Sequence, residues 1–418
     1  MSMNPHEMEE PIQDEDVEII TADEVTEEYD IGDAPQDDDG DDGMADASEM
    51  DVAEEEYRDE SLMRFAIHTG PVYSIKVHPS DPRIVITGGG DDVGVIWNRE
   101  DGSVLHRLEG HTDTVASVDF SFDGKYAATG GFDGIVKVWE VATGKLVQTL
   151  EGPSEEVEWV CWHQKGNVVL AGSGDGTVWM WLASTGECMQ VFAGHEMGVT
   201  CGSFTGSGKM IATGSSDQTV RLWNPKTGEC THVFRGHDFF EGPVTFLACH
   251  PAQPLLICGS QDGSARLVQV QAKRVLAVLS HDISEARVGT INSETEATAN
   301  SVECGGFCST MNWAATACLG GSLRIWDLST YQCRHVCSHP AGVTKLLWHP
   351  TQPIVYTSTV DGRIYVWDAR NGQLIRSMSG HTDVVLDMAF VMEQGSASPI
   401  GLLTGSDDES VRLFAVSE

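Results

Sequence analysis

From about residue 62 to the end of the chain, apolar residues fall in short runs, many alternating with polar ones and separated by turn-forming pairs. VASVDF (115–120), YAATGG (126–131) and IVKVWEV (135–141) make one such group, interrupted by Asp123-Gly124 and closed by Thr143-Gly144. Runs of this length, rich in β-branched and aromatic residues, predict strands joined by tight turns. Some alternate, as a half-buried strand does. Others are apolar on both faces, as expected of sheets packed between two neighbours. Before residue 61 the pattern stops: residues 1–60 combine low hydrophobicity with high charge and are expected to form a disordered acidic arm.

The strand pattern repeats. Aligned on their tryptophans, the units end at Trp97, Trp139, Trp181, Trp223 and Trp367, with weaker copies at Val268, Trp326 and Phe414. The intervals are 42, 42, 42, 45, 58, 41 and 47 residues, and an aspartate stands six residues before each anchor except Trp326, where Gly320 replaces it. Gly-His pairs precede several units, at His111, His195, His237 and His381. Eight such units in register identify WD repeats, so the expected fold is all-β: a single eight-bladed WD-repeat β-propeller over residues 61–418. Leu62–Ile67 resembles the strands before His111 and His381 but has no unit to complete, so it is expected to pair with the last unit and close the ring. A polar stretch, about 281–300, lengthens the gap before the sixth anchor and falls where other units have their Gly-His loop.

Charge adds a second layer. The net charge is −39; residues 1–60 hold 26 acidic residues and one basic one, Arg58, so the arm carries most of it. The remainder is acidic too. Such a surface repels phosphate backbones and anionic membranes and favours basic partners, so neither direct nucleic-acid nor membrane binding is expected. With no basic-then-apolar leader and no apolar run long enough to span a bilayer, the expected location is the cytoplasm, with the nucleus second. The 11 cysteines lie mostly in apolar strand-like runs and lack zinc or redox spacing, which fits reduced core residues.

The recurring His, Ser/Thr, Asp and Trp suggest hydrolase chemistry only at first sight. The best-kept sets are His195/Ser215/Asp217/Trp223 and His339/Thr359/Asp361/Trp367. A catalytic site is specialised and single, whereas these sets recur around a ring, where a buried turn aspartate needs donors. They are therefore read as structural. No nucleophile elbow, phosphate loop or zinc helix is present, and Gly88-Gly89-Gly90 precedes a strand, so no catalytic, cofactor or metal site is expected. The His-Pro pairs at His78, His250 and His349 read as turns.

The loops carrying the histidines and those carrying the turn aspartates should share one end of the propeller. The candidate partner-binding residues there are Asp113, Phe132, Glu155, Glu156, Glu158, Trp159, Glu196, Asp238, Phe239, Asp383 and Asp407, with Phe240 beside them. Carboxylates mixed with aromatics suit an extended Lys/Arg-rich peptide.

Several phrases go beyond the general repeat. EVEWVCWHQKGNVVLAGSGDGTVWMW (156–181), NSVECGGFC (300–308), the polar insertion and the acidic arm resemble the family of angio-associated migratory cell protein and its yeast ribosome-assembly counterpart. That resemblance implies an eight-bladed propeller serving, at least in the fungal branch, as a dedicated chaperone; the chain itself is expected to be a monomer. Its implied client is the basic N-terminal segment of a large-subunit ribosomal protein (L ten in yeast naming). In animals the family name is attached to cell migration. Two alternatives remain at this stage. The Trp367-Asp368-Ala369-Arg370 sequence matches the WDxR pattern of cullin-ligase substrate receptors, and an acidic propeller also suits a histone chaperone.

Overall fold

The computed structural model describes residues 58–236, 239–281, 300–393 and 395–416. Almost all of the expected acidic arm, and all but the ends of the 281–300 insertion, lie outside the described residues. The described elements are 32 β-strands in eight four-stranded antiparallel sheets. Seven blades are continuous: 72–108, 115–150, 157–193, 201–234, 244–280, 302–338 and 343–378. The eighth takes three strands from 385–414, and Met63–Phe65 supplies its outermost strand, pairing with Val411–Leu413. The expected closure is therefore present, and the Phe65 ring also meets Trp97 of blade 1 in a tilted contact at 4.7 Å.

The core lies between blades rather than within them. Ile86, Ile96 and Leu108 of blade 1 meet Val115, Val118 and Phe120 of blade 2, and seven similar clusters fill the other junctions. This is why so many strands are apolar on both faces. Each fully buried Val, Leu or Ile contributes roughly 1.5–3 kcal/mol, so each junction is a separate source of stability.

Polar links tie the inner strands of neighbouring blades, which share no backbone ladder. Ser74 Oγ accepts from the Val118 amide (3.3 Å), Ser117 Oγ from Val160 (3.1 Å), and Asp387 from Ile75 across the closure (3.0 Å). Asp387 is buried yet lies 3.2 Å from both Lys76 and Lys345. Burial alone would raise its carboxyl, but the two ammonium groups hold it down at about 2. At the other end the His-Pro histidines do more than turn the chain. His78, His250 and His349 accept turn amides on Nδ1, while their rings meet Phe120, Phe307 and Phe390 of the next blade at 5.1, 4.9 and 6.0 Å.

Candidate functional site

The loops from the outer strand of one blade to the inner strand of the next, and the turns between second and third strands, emerge at one end, here the histidine face. Blade 4 shows its internal bracing. His195 Nδ1 bonds Asp217 (2.9 Å) and Nε2 bonds Thr213 Oγ1 (2.8 Å), which also accepts the Trp223 indole N–H (2.9 Å). The hydroxyl in the set is thus Thr213, not Ser215. Ser215 instead donates to the Met197 carbonyl (2.9 Å) and accepts the Asp217 amide (3.0 Å), fastening turn to loop. Burial alone would raise the Asp217 carboxyl, but hydrogen bonds from His195 and Thr219 hold it well below the ordinary range.

The second expected set is broken. His339 Nδ1 bonds the Gly321 carbonyl (3.0 Å), and Nε2 takes both Thr357 Oγ1 (2.8 Å) and the Trp367 indole (2.9 Å). Asp361 is not bonded to His339; it accepts from Thr359, which is therefore a turn residue. Burial pushes His339 down to about 4. Blade 6, despite Gly320, keeps His281, Thr316 and Trp326 together at 2.7 and 2.8 Å. Among the described residues no group of His, Cys, Asp and Glu could hold a metal.

The residue before each of the seven turn aspartates, and Leu319 before Gly320 in blade 6, donates its amide to the adjoining loop, as Phe132 does to Thr114 (2.9 Å) and Gly174 to Glu156 (2.9 Å). Turns and loops thus make one continuous rim. Asp113, Glu155, Glu156, Glu158, Glu196 and Asp383 are exposed on it, and Asp407 and Phe132 are half-buried. The other expected aromatics are not on the surface. Trp159 is only 9% exposed and donates its indole N–H to the Val199 carbonyl (2.9 Å). Its ring lies so close to Gly172 and Gly202 that a Cβ on either would come within 2.4 Å. Phe239 and Phe240 are each 3% exposed: Phe239 stacks on Phe234 at 5.6 Å, and Phe240 lies under the Arg266 guanidinium at 4.9 Å. All three aromatics are core. Asp238 lies outside the described residues.

A different aromatic takes their place. In seven blades the inner strand shifts register after its first pair, leaving one residue unpaired at the channel mouth; in blade 1 this is Tyr73 and in blade 3 Glu158. Tyr73 is half-buried, 6.5 Å from Phe132. Superposing the units would have flagged that position, since Tyr73 and Glu158 occupy the same place in their repeats.

The two ends differ in how charge is balanced. At the far end cations sit on carboxylates: Arg83 on Asp81 (2.8 Å), Lys125 on Asp123 (3.4 Å), Arg334 on Asp327 (3.4 Å) and Arg370 on Asp368 (2.8 Å). On the histidine face Asp113, Glu155, Glu156, Glu158, Glu196 and Asp383 form no ion pair among the described residues. Instead, partial burial and the Glu156 charge raise Glu158, and partial burial with Asp383 and Asp408 raises Asp407. These carboxylates run as an arc over blades 8, 1, 2, 3 and 4. It ends where Arg221 and Arg235 line a cavity with Glu196 and Glu241.

Comparison with known proteins agrees with this architecture. The WD domain, G-beta repeat model matches residues 59–98, 102–140, 144–181, 186–224, 228–268, 331–368 and 372–414, leaving a gap at the sixth unit. Angio-associated migratory cell protein of Homo sapiens is 34% identical over 358 residues, covering 86% of this chain and 80% of that protein. An uncharacterized WD repeat-containing protein of Schizosaccharomyces pombe is 34% identical over 382 residues, 88% of this chain and 90% of its own length. Among solved structures, Saccharomyces cerevisiae Sqt1 superposes with a TM-score of 0.78 at 24% identity, over 86% of this chain and all of that one. Chaetomium thermophilum Sqt1, bound to the N-terminus of the ribosomal protein L10, gives 0.74 at 21% over 86% of this chain and all of that one. At those identities the likeness to Sqt1 is one of fold. The chain belongs to the WD-repeat proteins, and within them to the family of angio-associated migratory cell protein.

Proposed function

We propose that the protein is a non-catalytic binding protein whose acidic arc holds an extended basic segment of a large-subunit ribosomal protein, as a dedicated chaperone in the cytoplasm or nucleus. The observation that carries this reading is the set of exposed carboxylates on one face, Asp113, Glu155, Glu156, Glu158, Glu196 and Asp383, that form no ion pair among the described residues, while Asp81, Asp123, Asp327 and Asp368 at the far end each hold a cation. A cationic peptide supplies that counter-charge. Sqt1, a protein of the same fold, is seen with the N-terminus of L10 bound, which supports a ribosomal-protein segment as the ligand class. Unassembled ribosomal proteins carry positive extensions with little structure of their own, and an anionic cradle keeps them from aggregating or meeting RNA too early. Charge pairing makes capture fast and salt-sensitive, and rRNA phosphates then compete the segment away.

The test is charge reversal. Changing Glu155, Glu156 and Glu158 to lysine should weaken binding of a basic ribosomal-protein peptide at least tenfold, on the order of 1.4 kcal/mol. Reversing Glu187 and Glu229, exposed at the far end, should leave it nearly unchanged. Equal effects of the two sets would remove the arc from consideration.

A further inference from the structure

We propose that Tyr73 and Phe132 form an arginine-reading site in the middle of the acidic arc, so that this protein distinguishes arginine from lysine in the segment it holds. The proposal rests on the binding reading above and adds a specificity to it. Three observations meet here. First, the two rings lie 6.5 Å apart, tilted by 57°, both half-buried and both on the histidine face, one from the bulge of blade 1 and one from the turn of blade 2. Second, the position before the turn aspartate, occupied by Phe132 in blade 2, is Gly90 in blade 1, and a Cβ there would already approach Tyr73 Cε2 to 3.4 Å. Gly90 therefore puts no side chain against the Tyr73 ring, and the Tyr73 hydroxyl has no hydrogen-bond partner among the described residues. Third, the pair is central. Asp383 and Asp407 lie to one side, Glu155 and Glu158 to the other, and Asp113 belongs to the loop that accepts the Phe132 amide.

The chemistry selects the occupant. A guanidinium is planar and weakly hydrated, so it stacks on an aromatic face while its edge N–H groups still reach carboxylates. A lysine ammonium is compact and strongly hydrated; it matches the charge of the arc but gains little from the rings. The carboxylates thus supply attraction for either residue, and Tyr73 with Phe132 supplies the difference between them. Trp159, Phe239 and Phe240 cannot do this, being enclosed in the blade junctions.

Two synthetic probes of equal length and charge test the idea on the full chain: a 15-residue Gly/Ser peptide carrying five arginines and its five-lysine counterpart, with Kd measured by fluorescence anisotropy. The wild-type protein should bind the arginine peptide about three- to tenfold more tightly. That ratio should persist as salt is raised, although both affinities fall. Tyr73→Leu with Phe132→Leu should bind both peptides like the lysine one, while Tyr73→Phe should keep the preference. Far-UV circular dichroism confirms that the variants fold, and the wild-type comparison stands without them. Equal wild-type affinities, or a preference that survives loss of both rings, would overturn the arginine site and leave the acidic arc intact. No binding of either peptide would overturn both proposals.

Discussion

Two blades with the same local sequence signature brace their histidines differently, and neighbouring atoms decide which. In blade 4 Asp217 accepts from His195, the Glu196 amide, and both the amide and hydroxyl of Thr219. In blade 7 the Gly321 carbonyl reaches His339 first, so Asp361 faces outward, its side chain 35% exposed and 4.0 Å from Arg363. Removing a carboxylate costs most where its donors are left buried and unpaired. Asp217→Ala should therefore destabilise the protein by about 1–3 kcal/mol. Asp361→Ala should cost less than about 1 kcal/mol, as a partly exposed ion pair does. Urea denaturation of the two variants beside the wild type measures the difference, and equal losses would refute the distinction.

At the scale of an element, the closing strand matters more than its length suggests. Met63–Phe65 makes only three residue pairs, yet it covers the edge of the last blade and places Phe65 and Ile67 in the cluster joining blades 8 and 1. The residues just before it are also held: Asp59 pairs with Arg412, and Glu60 exchanges bonds of 2.9 Å with Ser379. The latch therefore begins near residue 58, earlier than the Leu62 start expected from the repeat. Deleting residues 1–57 should leave the melting temperature of the propeller nearly unchanged. Deleting through Ile67 should expose the 411–414 edge and produce aggregation. Light scattering during a thermal ramp separates the two cases, and matching traces from both truncations would exclude the latch.

For the whole molecule, the arc couples binding to protons. In the free protein Glu158 and Asp407 have raised pKa values, from partial burial first and then from neighbouring carboxylates. A bound cation stabilises their ionised forms and so lowers those values. Binding should release protons, and affinity should rise with pH through the carboxylate range and level off above it. Titration calorimetry near pH 5 in two buffers of different ionisation heat reads this directly. Proton uptake on binding, or no exchange, would contradict an arc that is relieved by cations.

Much of this was legible in the chain itself. The anchors from Trp97 to Phe414 determined the blade number, and the unpaired Leu62–Ile67 segment announced the closure. Acidic loops such as 155–158 lie on the histidine face as expected, because loop position follows from strand order alone. What tertiary structure decided is which side chains in those loops reach solvent. Trp159 turned inward because Gly172 and Gly202, the latter on the next blade, leave room for an indole. Phe239 and Phe240 were drawn under Phe234 and Arg266. Tyr73 stayed at the mouth because a bulge left it without a cross-strand partner. A repeat period is a property of one unit, whereas the burial of a loop side chain is decided by what it meets in three dimensions; Trp159 bonds the Val199 carbonyl 40 positions away in the loop to the next blade, and no local pattern records that contact.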